Sequence, residues 1–379
     1  MEWGWVEDED DNDDEADIRP EMKIMFLTGC LEPGKDGVGD QTRELAAECG
    51  RRGHQAFLVS LNDPWIDQTH RENGLLRLGP KQSWVDRVTV TRSFLAETAP
   101  DLVSLQLVLY SFHPAGLSFA LPQLLRAMIG QTPVQIMFHE LWIGTEIGSR
   151  FKTRMVGFCQ RKIIETVVNK LACRVIHTSN LVYIQLLSRY GITAKHLPLF
   201  GSVPVVPAEN VPPRSDHVLR LGIFGSLHPE WSPDEMFAQL KTLEKPIQLS
   251  HIGRIGPGES RWKDLTERYG SEIELSRLGE RSLAEISRFF SFVDFGVATT
   301  PLALIGKSSC VAAMLDHGLP VIVSRNDVHF RGMPNPDLLS DLLIPVDERF
   351  LERLKSARRR DPQPQLHQVA EQFLKDVGG

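Results

Sequence analysis

No CxxC pair occurs among the five cysteines, Cys30, Cys49, Cys159, Cys173 and Cys310. An odd and scattered set excludes a disulfide framework and fits free thiols in a reducing cytoplasm. No HxxxH pair or Cys/His cluster has the spacing of a zinc site, so no metal is expected. No window approaches the ~20 apolar residues that a membrane span needs. The first residues are acidic, the opposite of a signal peptide's basic start. Excess charge is also missing from the body. The formal net charge is -7, and the first seventeen residues carry much of it. A near-neutral remainder leaves no nucleic-acid footprint. These absences point to a cytoplasmic protein.

What is present suits two α/β domains. The 379 residues are 42% hydrophobic and 24% charged, the composition of a soluble globular protein. Residues 1–20 hold a nearly pure acidic run, Glu7 to Glu15, which self-repels and is expected to be a disordered tail. The organising stretch follows at 22–54. Residues 24–27 are a short apolar run, the pattern of a parallel strand covered on both faces. Gly34, Gly37 and Gly39 then predict a loop whose N–H groups can approach a ligand. A helix is expected over 42–52, a left-handed stop at Gly53, and a strand over 57–60. The loop of such a βαβ unit faces the carboxyl end of the sheet, where open α/β folds bind ligands, and the helix start favours anions.

Alternation continues through the first half, with strands at 102–109, 133–138, 174–176 and 195–199 and helices at 122–129, 161–169 and 181–190. Asn180 is read as a helix cap. This pattern predicts a doubly wound parallel sheet over 21–202. His113, His139 and His177 fall where strands end, positions that line a ligand crevice. Of the three, His139 is the chosen catalytic candidate, since a histidine there can hold a hydroxyl or exchange a proton.

Residues 203–216 carry four prolines and no periodicity and are read as a linker. A second α/β series over 217–345 has strands at 219–224, 246–252, 273–275, 292–297 and 321–324. Its helices are expected from Ser232 and Pro233, over 282–290 and over 310–316, and residues 346–379 form a helical tail broken near Arg360. Gly306-Lys307-Ser308-Ser309 is not a Walker loop, because Pro301 stands where a glycine is required. Its cation and its helix start nevertheless suit a diphosphate.

Taken together these motifs resemble the GT-B glycosyltransferases, in particular the large retaining family of bacterial mannosyl- and glucosyltransferases and sucrose synthase. Gly37-Val38-Gly39-Asp40 with Arg51-Arg52-Gly53-His54 is similar to that family's opening pattern. Phe138 to Trp142 is similar to its strand-end histidine motif, Leu278-Gly279 before Ser282 to its base loop, and residues 312–321 to its EAMACGxPV helix. The resemblance covers about residues 22–345. It implies two Rossmann-like domains facing across a cleft, with a C-terminal helix crossing back to the first. It also implies an enzyme moving a sugar from a nucleotide-diphosphate donor to a small-molecule or glycan acceptor, with retention and without a further cofactor. His139 would lie near the donor sugar. Gly37, Val38, Gly39 and Asp40 would form the acceptor and phosphate loop. Gly225, Ser226, Arg254, Gly279, Gly306, Lys307, Ser308 and Ser309 would bind the donor. No DxD pair lies in a plausible donor loop, so metal independence is expected.

Four donor-binding side chains of that family have no counterpart. Ser226 and Trp231 stand where it has arginine and lysine, and Ile305 and Ala313 where it has two glutamates. Lys307, Arg254 and His228 are the cations left to replace them. Two other readings share the architecture. A non-catalytic binding protein is favoured by the lost glutamates, and a nucleotide-sugar 2-epimerase would need acids such as Asp36, Asp40, Glu140 or Glu259 in the cleft.

Overall fold

The computed structural model describes residues 21–207, 217–334 and 338–378. The acidic stretch and most of the expected linker, 208–216, lie outside these residues. The first half contains, in chain order, β1 (Lys23–Thr28), α1 (Gly37–Arg51), β2 (Gln55–Ser60), β3 (His70–Glu72), β4 (Leu75–Arg77), α2 (Trp84–Thr98), β5 (Leu102–Leu107), α3 (Leu121–Ile129), β6 (Val134–Phe138), α4 (Phe151–Lys170), β7 (Cys173–Thr178), α5 (Leu181–Ser188) and β8 (Lys195–His196). Its sheet runs β3-β4-β2-β1-β5-β6-β7-β8, and only the β3–β4 pair is antiparallel. The order reverses between β1 and β5, which opens a crevice at their carboxyl ends.

The second half contains β9 (Leu219–Phe224), α6 (Asp234–Lys241), β10 (Ile247–Ile252), α7 (Glu259–Tyr269), β11 (Glu274–Gly279), α8 (Leu283–Phe292), β12 (Phe295–Ala298), α9 (Ser309–Asp316), β13 (Val321–Val323), β14 (Leu343–Pro345) and α10 (Phe350–Ser356). Its sheet, β11-β10-β9-β12-β13-β14, is all parallel and reverses between β9 and β12. The central strands of both sheets are buried on both faces, which is why they read as apolar runs, whereas the edge strands β3 and β11 are not.

The last helix, α11 (Leu366–Gly378), leaves the second half and packs on the first. Val369, Phe373 and Val377 recur at helical spacing and are buried against Ile24, Phe26 and Leu45. Phe373 and Phe26 lie 5.8 Å apart, ring centre to ring centre. Each such side chain contributes about 1.5–3 kcal/mol on burial. His367 completes the contact, its Nδ1 2.9 Å from Glu48 Oε1 on α1. The two sheets and the returning helix match the predicted architecture.

The local departures have physical causes. The loop expected at Gly37–Asp40 is instead the first turn of α1, capped by Asp36, whose carboxylate accepts from Gly39 N at 3.2 Å. Of these early glycines only Gly34 has a positive φ, +67°. Gly39 serves packing, because a Cβ there would lie 2.5 Å from the Cys30 carbonyl oxygen. Ser232 does not cap α6, which starts at Asp234 with Pro233 in the cap position. Elements absent from the sequence reading are the β3–β4 hairpin, α2, α7 and β14. In α2 the threonines hide a helix; Thr89 and Thr98 return their hydroxyls to carbonyls four residues earlier.

Candidate functional site

The carboxyl ends of both sheets face each other, and the candidate residues gather there in three groups. The first is at the reversal between β1 and β5. A cavity of about 380 Å³ is lined by Gly29, Lys35, Asp36, Trp65, Tyr110 and His113. Lys35 Nζ sits 5.0 Å from the Trp65 ring centre. Asp36 and Asp40 both border this region, and burial pushes both carboxyls up from their ordinary range. Asp40 accepts from Gly34 N at 2.9 Å. The start of α1 is therefore acidic and its N–H groups are engaged, which suits a hydroxylic ligand better than a phosphate.

The second group lies in the β9, β10 and β11 loops. Gly225, Gly253, Gly256 and Gly279 all have positive φ, between +61° and +93°, which only glycine adopts readily. A Cβ at Gly225 would lie 2.5 Å from Cys310 Sγ at the start of α9, whereas nothing lies within 4 Å of one at Gly279. Ser226 stands beside Gly256, and its carbonyl accepts from Thr299 Oγ1 at 3.3 Å. Arg254 crosses the cleft, its guanidinium 3.0 Å from the Gly34 carbonyl oxygen and 3.5 Å from Glu280.

The third group joins the halves. Lys307 ends a 3₁₀ turn, Leu302–Lys307, and Ser308 caps α9 by accepting from Val311 N. Lys307 Nζ is 3.1 Å from Glu140 Oε1, on the residue after His139. Burial alone would lower the Lys307 pKa, but Tyr183 and Glu140 outweigh it and hold the ammonium charged. Its side chain keeps 28% of its surface exposed. Ser309 faces the other half, its Oγ 3.6 Å from the place a Cβ would take at Gly37. Gly306 and Ser308 point elsewhere. A Cβ at Gly306 would lie 2.4 Å from the Ser179 carbonyl oxygen, and both residues line a separate cavity of about 300 Å³ with His196, Asp316 and Arg360. The expected donor run thus divides: Lys307 and Ser309 reach the cleft, while Gly306 and Ser308 build the joint.

His139 directly follows β6 and is 8% exposed, its Nε2 2.8 Å from Gln106 Oε1. Burial lowers its pKa to about 4, so it is neutral at pH 7. His113 borders the 380 Å³ cavity, and its Nδ1 accepts from the N–H groups of Ala115 and Leu117. His177 is fully buried and faces α11 rather than the cleft. Trp231 supplies no cation substitute; it is core, with its indole N–H donating to Ser324 Oγ at 2.6 Å. The cation the sequence reading missed is Arg325, after β13. It is 4% exposed, 2.8 Å from His228 Nδ1 and 2.8 Å from Asp327. Nothing in the sequence marks it; only the adjacency of β12 and β13 brings it beside the β9 loop. Burial, then the Arg325 charge, lowers the His228 pKa.

Among the described residues no group of three His, Cys, Asp or Glu is placed to hold a metal ion, and no helix is long and apolar enough to cross a membrane. No family model and no curated sequence matches the chain. Solved structures do. The Anabaena HepE protein in complex with UDP and glucose is 14% identical, with a TM-score of 0.60 over 95% of this chain and 100% of its own. The lipopolysaccharide outer core galactosyltransferase WaaB, apo form, is 14% identical, with a TM-score of 0.52 over 94% and 97%. A UDP-N-acetylglucosamine 2-epimerase is 11% identical, with a TM-score of 0.52 over 94% and 96%. At these identities the likeness is one of fold, and with two Rossmann-like halves facing across a cleft and a last helix returning to the first half, the chain has the GT-B fold.

Proposed function

We propose that the chain is a glycosyltransferase that moves a sugar from a nucleotide-diphosphate donor to a small-molecule or glycan acceptor. The observation that carries this reading is the charged Lys307 at the start of α9, inside the cleft and one residue from the His139 strand end. A departing diphosphate needs fixed positive charge where its own charge develops. Lys307 supplies it, the first-turn N–H groups of α9 add to it, and Arg325 and Arg254 stand on the neighbouring loops. Gly225, Ser226 and Gly279 provide close-approach backbone for the nucleoside.

In this reading residues 217–345 hold the donor, residues 21–202 hold the acceptor, and 203–216 link them. The 380 Å³ cavity, with Trp65 and Tyr110 on its walls, suits a sugar ring. Neutral His139 serves as a hydrogen-bonding partner for the donor sugar rather than as a cation. The nucleotide sugar enters as a co-substrate in a cytoplasmic setting, and uridine is the first base to try because the HepE structure contains UDP. An epimerase would need free acids; here Asp36 and Asp40 are bound to α1 and its preceding loop, and Glu140 to Lys307.

The test is a thermal-shift series with UDP, GDP, ADP, CMP and dTDP, followed by transfer and hydrolysis assays with the matching sugar. A ligand at a hundred times its dissociation constant adds about 2.7 kcal/mol, a shift of several degrees. UDP is expected to give that shift. A donor that binds without turnover supports the binding-protein reading, and no shift with any nucleotide overturns both. The anomeric configuration of the product decides retention.

A further inference from the structure

Five buried polar residues in and directly after β5, β6 and β7 form one continuous chain of hydrogen bonds. His139 Nε2 lies 2.8 Å from Gln106 Oε1. Gln106 Nε2 lies 2.8 Å from Ser104 Oγ, and Ser104 Oγ 2.6 Å from Gln135 Oε1. Gln135 Nε2 lies 3.1 Å from His177 Nδ1, and His177 Nε2 3.0 Å from Asp376 Oδ2 on α11. Lys195 Nζ holds the other oxygen of Asp376 at 2.5 Å. Ser104, Gln106, Gln135, His139 and His177 are all exposed by 8% or less, in strands where apolar residues would otherwise pack. Unsatisfied, each would cost about 1–3 kcal/mol.

The direction of every bond follows from the far end. A carboxylate only accepts, so His177 carries its proton on Nε2 and leaves Nδ1 as an acceptor. Gln135 must then turn its NH₂ to His177 and its oxygen to Ser104. The Ser104 hydroxyl donates to that oxygen and accepts from Gln106, whose oxygen is left to accept from His139 Nε2–H. His139 therefore keeps an unprotonated Nδ1, which has no hydrogen-bond partner among the described residues. Neither amide can rotate alone without opposing two like groups.

We propose that Asp376 is a positioning residue for His139: acting through His177, Gln135, Ser104 and Gln106, it fixes the Nε2–H tautomer and presents Nδ1 as an acceptor for a hydroxyl of the donor sugar. The last clause rests on the transferase reading; the tautomer does not. Asp376 lies on the last helix, so docking of α11 and the state of His139 are coupled. Low pKa values at His139 and His177, both from burial first, keep the two rings neutral and the order intact.

Asp376→Asn separates this role from simple anchoring. Lys195 should retain the amide oxygen, which turns the NH₂ toward His177 and reverses every bond as far as His139. The probe is the ring-nitrogen spectrum of isotope-labelled histidine in the full chain, assigned with His139→Gln and His177→Gln. Wild type should show both rings as Nε2–H, and Asp376→Asn should convert both to Nδ1–H while the UDP-induced thermal shift is kept. Asp376→Glu should restore the wild-type spectrum. If Asp376→Asn fails to fold, Ser104→Ala cuts the chain with α11 docked, and His139 should become a tautomer mixture. A His139 that stays Nε2–H in folded Asp376→Asn, or that remains a single tautomer in Ser104→Ala, overturns the proposal. If the spectra behave as expected and no sugar substrate turns over, the transferase reading fails and the relay stands. If both hold, sugar turnover in Asp376→Asn should fall roughly tenfold or more at unchanged nucleotide affinity, as a wrong tautomer requires.

Discussion

Lys307 of the second half and Glu140 of the first form an ion pair across the cleft, Nζ to Oε1 at 3.1 Å. On the proposed transferase reading, Glu140 and the donor diphosphate would draw on this one ammonium.

Replacing either partner should move nucleotide affinity in opposite directions. A charge-assisted hydrogen bond is worth about 1.5–3 kcal/mol, so Lys307→Ala should weaken UDP binding roughly 10- to 150-fold. Glu140→Gln frees the cation and should tighten UDP severalfold. Calorimetric titration of both variants checks this. Equal losses in both would mean that Glu140 supports the ligand rather than competing with it.

Gly306 has no freedom to carry a side chain. A Cβ would sit 2.4 Å from the Ser179 carbonyl oxygen, a backbone atom that cannot swing aside. Gly306→Ala should cost about 1–3 kcal/mol in a denaturant melt and weaken nucleotide binding, because the joint carrying Lys307 is pushed off the first half. An unchanged melt would show that the halves are not held at this contact.

Two buried groups give opposite pH slopes. Asp316 accepts from Gly201 N at 2.9 Å, and burial raises its pKa from 3.8 to about 6. The folded chain then holds a proton the unfolded chain has lost, so this group's stabilisation disappears as pH rises from about 4 to 6. His139 does the reverse. Its folded pKa is about 4 against 6.5, so it withdraws stability as pH falls from 6.5 to 4. Asp316→Asn should therefore gain up to about 3 kcal/mol at pH 7 and lose stability on acidification more steeply than wild type. Melts at pH 4.5 and 7 decide it; parallel curves for wild type and variant would refute the assignment.

The sheets were legible because buried parallel strands are written as apolar runs, and the crossing helix because the resemblance implied it. The site was harder to read. Gly37 and Gly39 suggested a turn, yet both lie in the first turn of α1, where Gly39 is needed because a Cβ would meet the Cys30 carbonyl oxygen, and sequence does not separate backbone freedom from want of space. Trp231 stands where the similar family has a lysine, and it is core. The buried relay did leave a trace. Ser104 and Gln106 interrupt one apolar strand two residues apart, and Gln135 interrupts the next, directly opposite Ser104. Polar residues in register inside buried strands must bond each other. Arg325 left no trace, since a lone arginine after a three-residue strand has no pattern.

The returning helix sets an order on how this chain can be made. The core around Phe26 lacks Phe373 and Val377 until α11 emerges, after the whole second half. At roughly 5–20 residues per second, a ribosome that has passed residue 200 needs on the order of 10–40 s more to deliver α11. During that interval Phe26 lacks its aromatic cover and His177 its carboxylate. The first half is begun first and finished last.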